Sequence, residues 1–168
     1  MKKFTTIVLV LLAQVSFAQN WSWVKQLSQS PNPNKADELD IYDIKPAGNG
    51  DLYVTGSYKS NVVINGITYP GYPDATSITT DIFLVKLNSD GNIQWVKTIG
   101  SSDNDLPESI TLDNNENVYL SGRFRSTCDF GSSHTLTSDG GFDSFIAKYN
   151  SSGQIQWAIK SAYGGAND

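Results

Sequence analysis

The 168-residue chain holds one cysteine and one histidine. A lone cysteine excludes a disulfide framework and any multi-cysteine zinc site. A lone histidine excludes a histidine-rich metal centre. Charge is also scarce: Asp, Glu, Lys and Arg make up 17% of the residues, against about 25% in a typical soluble domain. The polar surface must therefore come from Ser, Thr, Asn, Gln and Gly. The balance is acidic, −5 overall, and −7 once Lys2 and Lys3 are lost with the leader described below. That argues against nucleic-acid binding, which needs clustered Lys and Arg to displace counterions. No phosphate loop, dinucleotide fingerprint or G-x-S-x-G motif occurs. No amphipathic helix pattern is present, and no membrane span follows the first eighteen residues.

Those first eighteen read as an export signal. Lys2 and Lys3 are followed by an apolar run from Ile7 to Leu12, extended by Ala13 and Val15. Ser16-Phe17-Ala18 then places small residues where a signal peptidase reads them, so cleavage is expected between Ala18 and Gln19. The run is too short for a span, which needs ~20 apolar residues. A secreted or cell-surface protein without a lipid anchor follows.

What the sequence does contain is a repeat. Asp81–Lys97 aligns with Asp143–Ile159 at an offset of 62, with nine of seventeen positions identical. Asp51-Leu-Tyr-Val-Thr-Gly56 aligns with Asn117-Val-Tyr-Leu-Ser-Gly122 at an offset of 66. Asp103-Asn104-Asp105 recurs as Ala166-Asn167-Asp168. The units are assigned to residues 40–104 and 105–168, preceded by the signal (1–18) and an orphan strand with its linker (19–39).

Each unit reads as four strands. They are Asp40–Lys45, Leu52–Tyr58, Ile82–Leu87 and Ile93–Ile99 in the first. Glu108–Leu112, Val118–Phe124, Phe145–Tyr149 and the segment around Trp157 follow in the second. The third strands look apolar on both faces, as in buried central strands. Alternation puts Ile93, Trp95 and Ile99 on one face, with Lys97 an exception. Ser89-Asp90-Gly91-Asn92 and Ser151-Ser152-Gly153-Gln154 supply glycines for hairpins that require positive φ. Asn65-Gly66 marks a hairpin between the second and third strands, and Cys128–Thr137 is its shorter counterpart. These excursions differ most between copies and are the places for unit-specific contacts. A four-stranded antiparallel unit in tandem implies an all-β fold of two β-propeller-type blades, an incomplete propeller with wide apolar faces. Residues 21–26 match Gln94–Lys97 and form an orphan fourth strand, loose or added to a neighbouring edge.

In Asp81–Gly100 and Asp143–Gly165 the chain resembles the SBBP (seven-bladed β-propeller-like) repeats of secreted bacterial proteins. The shared features are Asp-x-Phe before an apolar strand and Lys, a Ser-x-Gly turn, Trp in the next strand, and Gly soon after. The resemblance covers residues 21–168. It implies an exported multi-blade protein whose partners include further blades of the same protein. The second copy departs at Ala158–Tyr163, where a bulge or looser loop is expected.

No residue set is assigned to catalysis, cofactor binding or metal binding. Trp23, Trp95 and Trp157 occupy one blade position and read as structural, packing between blades or capping the strand; Trp21 stands outside the repeat. Asp81 and Asp143 open the third strands and read as strand-start hydrogen-bond acceptors. Asp103, Asp105, Asp113, Glu116 and Asp129 could offer oxygens to calcium, but no D-x-D-x-D-G loop occurs, and Asp113–Asn117 reads as a plain turn. His134 reads as a satisfied loop residue and Cys128 as a buried thiol. The expected function is non-enzymatic: an exterior binding or scaffolding module for an unidentified protein or glycan. The alternatives are part of a propeller-fold hydrolase or a calcium-stabilised adhesive stalk. The hydrolase requires unique carboxylates such as Asp74 and Asp139 to converge.

Overall fold

A computed structural model describes residues 25–27, 39–72 and 79–161. The leader, Trp21, Trp23, Asp74 and the segment from Ala162 to Asp168 lie outside these residues. So does most of the orphan strand.

The described residues are all-β, and none is helical. Strands β1 (Leu39–Pro46), β2 (Leu52–Lys59), β5 (Thr80–Leu87) and β6 (Ile93–Ile99) form one antiparallel sheet in the order β1-β2-β5-β6. Strands β7 (Leu106–Leu112), β8 (Val118–Phe124), β11 (Asp143–Tyr149) and β12 (Ile155–Lys160) form a second, ordered β7-β8-β11-β12. Each is a four-stranded up-and-down blade, and the two do not close a barrel. Between the second and third strands each blade carries a hairpin, β3–β4 (Asn61–Ile64, Ile67–Pro70) in the first and β9–β10 (Thr127–Asp129, Thr135–Thr137) in the second.

The turns follow their chemistry. Gly91 and Gly153 have φ of 78° and 76°, a region open to glycine at no steric cost. Asn88 and Asn150 begin these turns, each side-chain oxygen accepting two backbone N–H groups. Asn65 and Gly66, with φ of 54° and 78°, turn the β3–β4 hairpin in the primed geometry that matches strand twist.

The repeated glycine of the second strand has a different cause. A Cβ on Gly56 would overlap the Asp40 carbonyl and lie 2.6 Å from the Phe83 ring. On Gly122 it would overlap the Leu106 carbonyl and lie 2.8 Å from Phe145. Both glycines face a bulge in the first strand, at Tyr42 and Glu108. The Thr-Gly and Ser-Gly dipeptides and the Asp-x-Phe motif are thus one feature: the ring lies over the glycine.

Each sheet has a front face, covered by its own hairpin, and a rear face. The front of blade 1 (Leu52, Val54, Tyr58, Phe83, Val85, Leu87) packs with Val62 and Ile64 of its hairpin and with Leu27. If residues 21–26 match the fourth strand, Leu27 is the counterpart of Ile99. Ile99 packs against the front of blade 2, so Leu27 lies on blade 1 as Ile99 lies on blade 2. The orphan segment therefore lays Leu27 on the front of the first blade, which was not expected.

The rear of blade 1 (Tyr53, Ile82, Leu84, Trp95, Ile99) packs on the front of blade 2 (Leu120, Phe124, Phe145, Ala147, Tyr149). Blade 1 is consequently buried on both faces, and β5 is buried at every position from Asp81 to Leu87. In β11 burial alternates, with Ile146 exposed. The expectation that Phe145–Tyr149 is buried on both faces fails, because no sheet lies behind blade 2 among the described residues.

Two further expectations are corrected. The ladder shifts register between Lys86 and Leu87 and again between Lys148 and Tyr149. This bulge puts Ile93 on the front face, apart from Trp95 and Ile99, which stay together on the rear with Lys97 as the polar exception among them. It also places the irregularity of the second unit at the start of β12. From Trp157 to Lys160 the ladder is regular, and Ser161 continues it by donating to the Ser144 carbonyl; the remainder of the stretch expected to loosen, Ala162 and Tyr163, lies outside the described residues.

A methyl group added at Gly122 has no room. Gly122→Ala should destabilise the protein by about 1–3 kcal/mol, as overpacked cores do. Urea unfolding would show it; an unchanged midpoint would mean that the ring can move aside.

Candidate binding face

The contact between the blades is centred on three residues of blade 1 and two turns of blade 2. Tyr53, Lys86 and Trp95 stand side by side on the rear of blade 1. Trp95 meets Tyr53 edge-on at 5.9 Å, and Lys86 Nζ lies 5.1 Å from the Tyr53 ring centre. The turn after β11 lands on the indole: Trp95 Nε1 donates to the Ser151 carbonyl at 3.0 Å. A Cβ on Gly153 would come within 2.9 Å of that ring. The turn after β7 lands on the other two residues. Tyr53 Oη donates to the Glu116 carbonyl at 3.3 Å, and Lys86 Nζ lies 2.9 Å from Asp51 and 3.4 Å from Glu116. Glu116 adopts φ 59°, the left-handed position that Gly50 fills in blade 1. Nearer the first strands, Asp43 accepts from Ser109 Oγ at 2.7 Å and from the Ile110 amide at 3.0 Å.

The rear of blade 2 repeats this apparatus. Tyr119 and Trp157 meet edge-on at 6.0 Å, and Lys148 Nζ lies 4.7 Å from the Tyr119 ring centre. The geometry matches that of blade 1, but the face is open. Trp157 is 37% exposed, Ile146 44% and Ile159 55%. Among the described residues Trp157 Nε1 has no hydrogen-bond partner. Trp95 thus packs between blades as expected, whereas among the described residues no further blade covers Trp157; Trp23 lies outside the described residues.

At the edge of this face both arginines of the chain gather on one exposed ring. Arg125 lies 4.4 Å and Arg123 5.0 Å from the centre of Phe142. Neither arginine nor Phe142 was singled out from the sequence. The signal available was that Arg-Phe-Arg holds every arginine of an acidic chain.

The remaining candidate residues have structural partners. Asp81 Oδ2 accepts from the Tyr72 amide at 3.0 Å, and Asp143 Oδ2 from the Asp139 amide at 3.0 Å. Both are strand-start acceptors, as read from the sequence. Asp113 accepts from the Asn115 and Asn117 amides in a plain turn. Asp103 accepts from the Asn104 amide, and Asp129 from the Gly131 amide. Asp139 pairs with Lys160 at 2.6 Å. His134 Nδ1 lies 3.2 Å from the Ser132 carbonyl, and Cys128 is fully buried. Among the described residues no three His, Cys, Asp or Glu side chains converge as a metal would require.

One buried acidic pair marks the seam. Asp105, the residue that opens blade 2, donates its amide to the Thr80 carbonyl at 2.7 Å. Its side chain and that of Asp81 are both buried, with one carboxylate oxygen of each lacking a well-formed hydrogen bond. Burial pushes Asp81 up to about 6, partly offset by the Tyr72 and Ser101 amides. Burial pushes Asp105 up to about 7, with the charge of Asp81 adding to the rise and hydrogen bonds from Ser101 and Arg125 opposing it.

No family model matches the chain. Over 122 residues, 64% of the chain, it is 26% identical to an uncharacterised WD repeat-containing protein of Acanthamoeba polyphaga mimivirus. The chain spans 9% of that protein's length. This likeness, with the strand order of the two sheets, supports a repeat fold of propeller type. Among the described residues no helix is long and apolar enough to cross a membrane.

Two predictions follow from the seam and the open face. Trp95→Ala should cost about 3 kcal/mol, the low end for a large aromatic truncation. Trp157→Ala should cost less than about 1 kcal/mol, because an exposed ring leaves no cavity. Equal losses in chemical denaturation would contradict the difference drawn between the two faces. The acidic pair sets a pH dependence. A carboxyl raised in the folded state contributes stability that is complete below its ordinary value and is lost as pH rises through the raised one. The melting temperature should therefore climb as pH falls from 8 to about 5. Asp105→Asn should flatten that climb, and an unaltered slope would refute the assignment. Below about pH 4 the trend reverses. Asp43 is lowered, because its hydrogen bonds to Ile110, Ser109, Lys45 and Ile44 outweigh burial.

Proposed function

We propose that this chain is a non-enzymatic repeat module of the SBBP type, exported by its leader, that binds or scaffolds partners at the cell exterior by presenting blade faces. The observation that carries this reading is the rear of blade 2. It bears the Tyr-Lys-Trp set that blade 1 uses to hold its neighbour, already in the same geometry, with Ile146 and Ile159 exposed beside it. Exposed apolar surface of this kind on a rigid sheet marks an interaction site. Of the two carboxylates named for the hydrolase alternative, Asp139 pairs with Lys160 at 2.6 Å, and Asp74 lies outside the described residues. The SBBP resemblance and the leader support the exported setting.

The test is direct. Purified residues 19–168 should bind a protein partner through this face. Ile159→Asp should weaken that binding at least about tenfold, a loss of roughly 1.4 kcal/mol, while leaving the circular dichroism spectrum unchanged. Reproducible substrate turnover abolished by one point change would instead establish an enzyme. Retention of the leader on the protein recovered from its producing cell would contradict the exported setting.

A further inference from the structure

We infer that Arg123, Arg125 and Phe142 form a carboxylate clamp, and that the partner of the binding face is an acidic peptide segment lying extended across the rear of blade 2. The inference rests on the binding reading above and supplies the chemistry of the partner. The clamp follows from how charge is distributed. Lys45, Lys86, Lys148 and Lys160 are each paired with a carboxylate. Among the described residues neither arginine has an ion pair, although acids outnumber bases by 17 to 12 in the chain. The acids closest to Phe142 in sequence are already engaged: Asp139 and Asp143 share Lys160, at 2.6 and 3.5 Å.

Both guanidiniums are held in place. They lie 4.4 and 5.0 Å from the centre of the Phe142 ring, which is 38% exposed. Arg125 is anchored further, by its amide on Asp105 at 3.2 Å and by the enclosure of its Nε, which is buried without a partner. Side chains fixed in advance lose less freedom on binding. The two positive groups are also closer together than the ~10 Å over which 0.1 M salt screens charge. An anion received by both relieves their repulsion. A carboxylate suits the guanidinium fork, which can donate two parallel N–H groups to it.

The ladder of blade 2 sets the clamp in register with the apolar surface. Arg123 stands across from Ser144, while Ser121 and Ile159 flank Ile146. Ser144 and Ile146 share one face, about 7 Å apart along the strand. In an extended peptide the same distance separates a residue from its next neighbour but one. A segment with an acid at one position and a large apolar residue two positions away therefore fits. Its carboxylate meets the arginines, and its apolar group lies over Ile146 and Ile159, which are 44% and 55% exposed. The molecule already covers a sheet face in this way: Val62 and Ile64, two residues apart in β3, both pack on the front of blade 1. An acidic polysaccharide would satisfy the arginines but offers no aliphatic side chain to the isoleucines.

The experiment uses residues 19–168, the form tested above, and a fluorescein-labelled Ser/Thr peptide carrying Glu-Thr-Leu. Fluorescence anisotropy should show binding that weakens at least about fivefold with Arg123→Gln, with Arg125→Gln, or when Gln replaces the peptide's Glu. The losses should not add: on the Arg123→Gln protein, changing the peptide's Glu to Gln should weaken binding less than about twofold. A peptide with its acid moved next to the Leu, and so onto the opposite side of an extended strand, should bind as weakly as the Gln peptide. Arg123 is exposed, so Arg123→Gln should leave the urea midpoint at the parent's value, and its effect on binding is read free of any folding loss. Equal binding of the Glu and Gln peptides, or equal binding by the parent and Arg123→Gln proteins, overturns the proposal. So does arginine-dependent binding of polygalacturonate by a protein that ignores the peptide. If a protein partner is lost with Ile159→Asp but is held equally by the parent and Arg123→Gln proteins, the binding reading survives and this partner chemistry falls. If the peptide depends on the arginines while Ile159→Asp changes nothing, the clamp stands and the reading of the apolar face falls.

Discussion

A sheet of this repeat has two apolar faces, and one hairpin can cover only one of them. Most of the structure follows from that shortage. The β3–β4 and β9–β10 hairpins fold over the front faces of their own blades. The rear face of blade 1 is closed by blade 2, and the front of blade 1 receives Leu27 as well. A fully buried Leu or Phe contributes about 1.5–3 kcal/mol relative to exposure, so each covered face holds much of the fold's stability. Among the described residues the rear of blade 2 has the composition of a covered face and no cover, and for that reason it is the most informative surface they present.

The seam between the blades combines apolar packing with polar groups that fix its register. Ile82, Leu84 and Ile99 fill the space, and similar residues could do so in several registers. Trp95 to Ser151, Tyr53 to Glu116 and Asp43 to Ile110 can be satisfied in one register only. Lys86 sits between carboxylates from both blades, is largely removed from water and lies over an aromatic ring. An unpaired ammonium there would be costly, so the turn bearing Glu116 has a reason to hold a left-handed residue other than glycine. The Asp81–Asp105 pair works against the seam: two acids share a dry site because the strand start and the blade start meet there.

The signatures that identify the repeat turn out to be steric and polar rules of one blade. Gly56 and Gly122 leave room for Phe83 and Phe145. Asn88 and Asn150 cap turns that Gly91 and Gly153 complete at positive φ. Asp81 and Asp143 tie down the loop that precedes the third strand. Residues carrying these rules are legible in a single sequence because they act within a few residues or on the adjacent strand. The bulge between the third and fourth strands was not legible. Its effect is to move Ile93 to the opposite face from Trp95, and simple alternation has no means of registering an extra residue.

The sequence by itself determined the number of units, the strand order within each, the turns and the two hairpins, because these depend on short-range sterics and on hydrogen bonds between neighbouring strands. It also determined that Cys128 is buried and that Asp113 belongs to a turn. Only the tertiary structure decided the different fates of identical motifs. Gln94-Trp95 and Gln156-Trp157 are the same dipeptide at the same place in a blade, yet one indole is bonded to the next unit and the other stands open. Ile146 corresponds to Leu84, and only Leu84 is covered. Whether a residue is core or surface depends on what lies across the sheet, and that contact is made between units, over distances at which the local pattern carries no information.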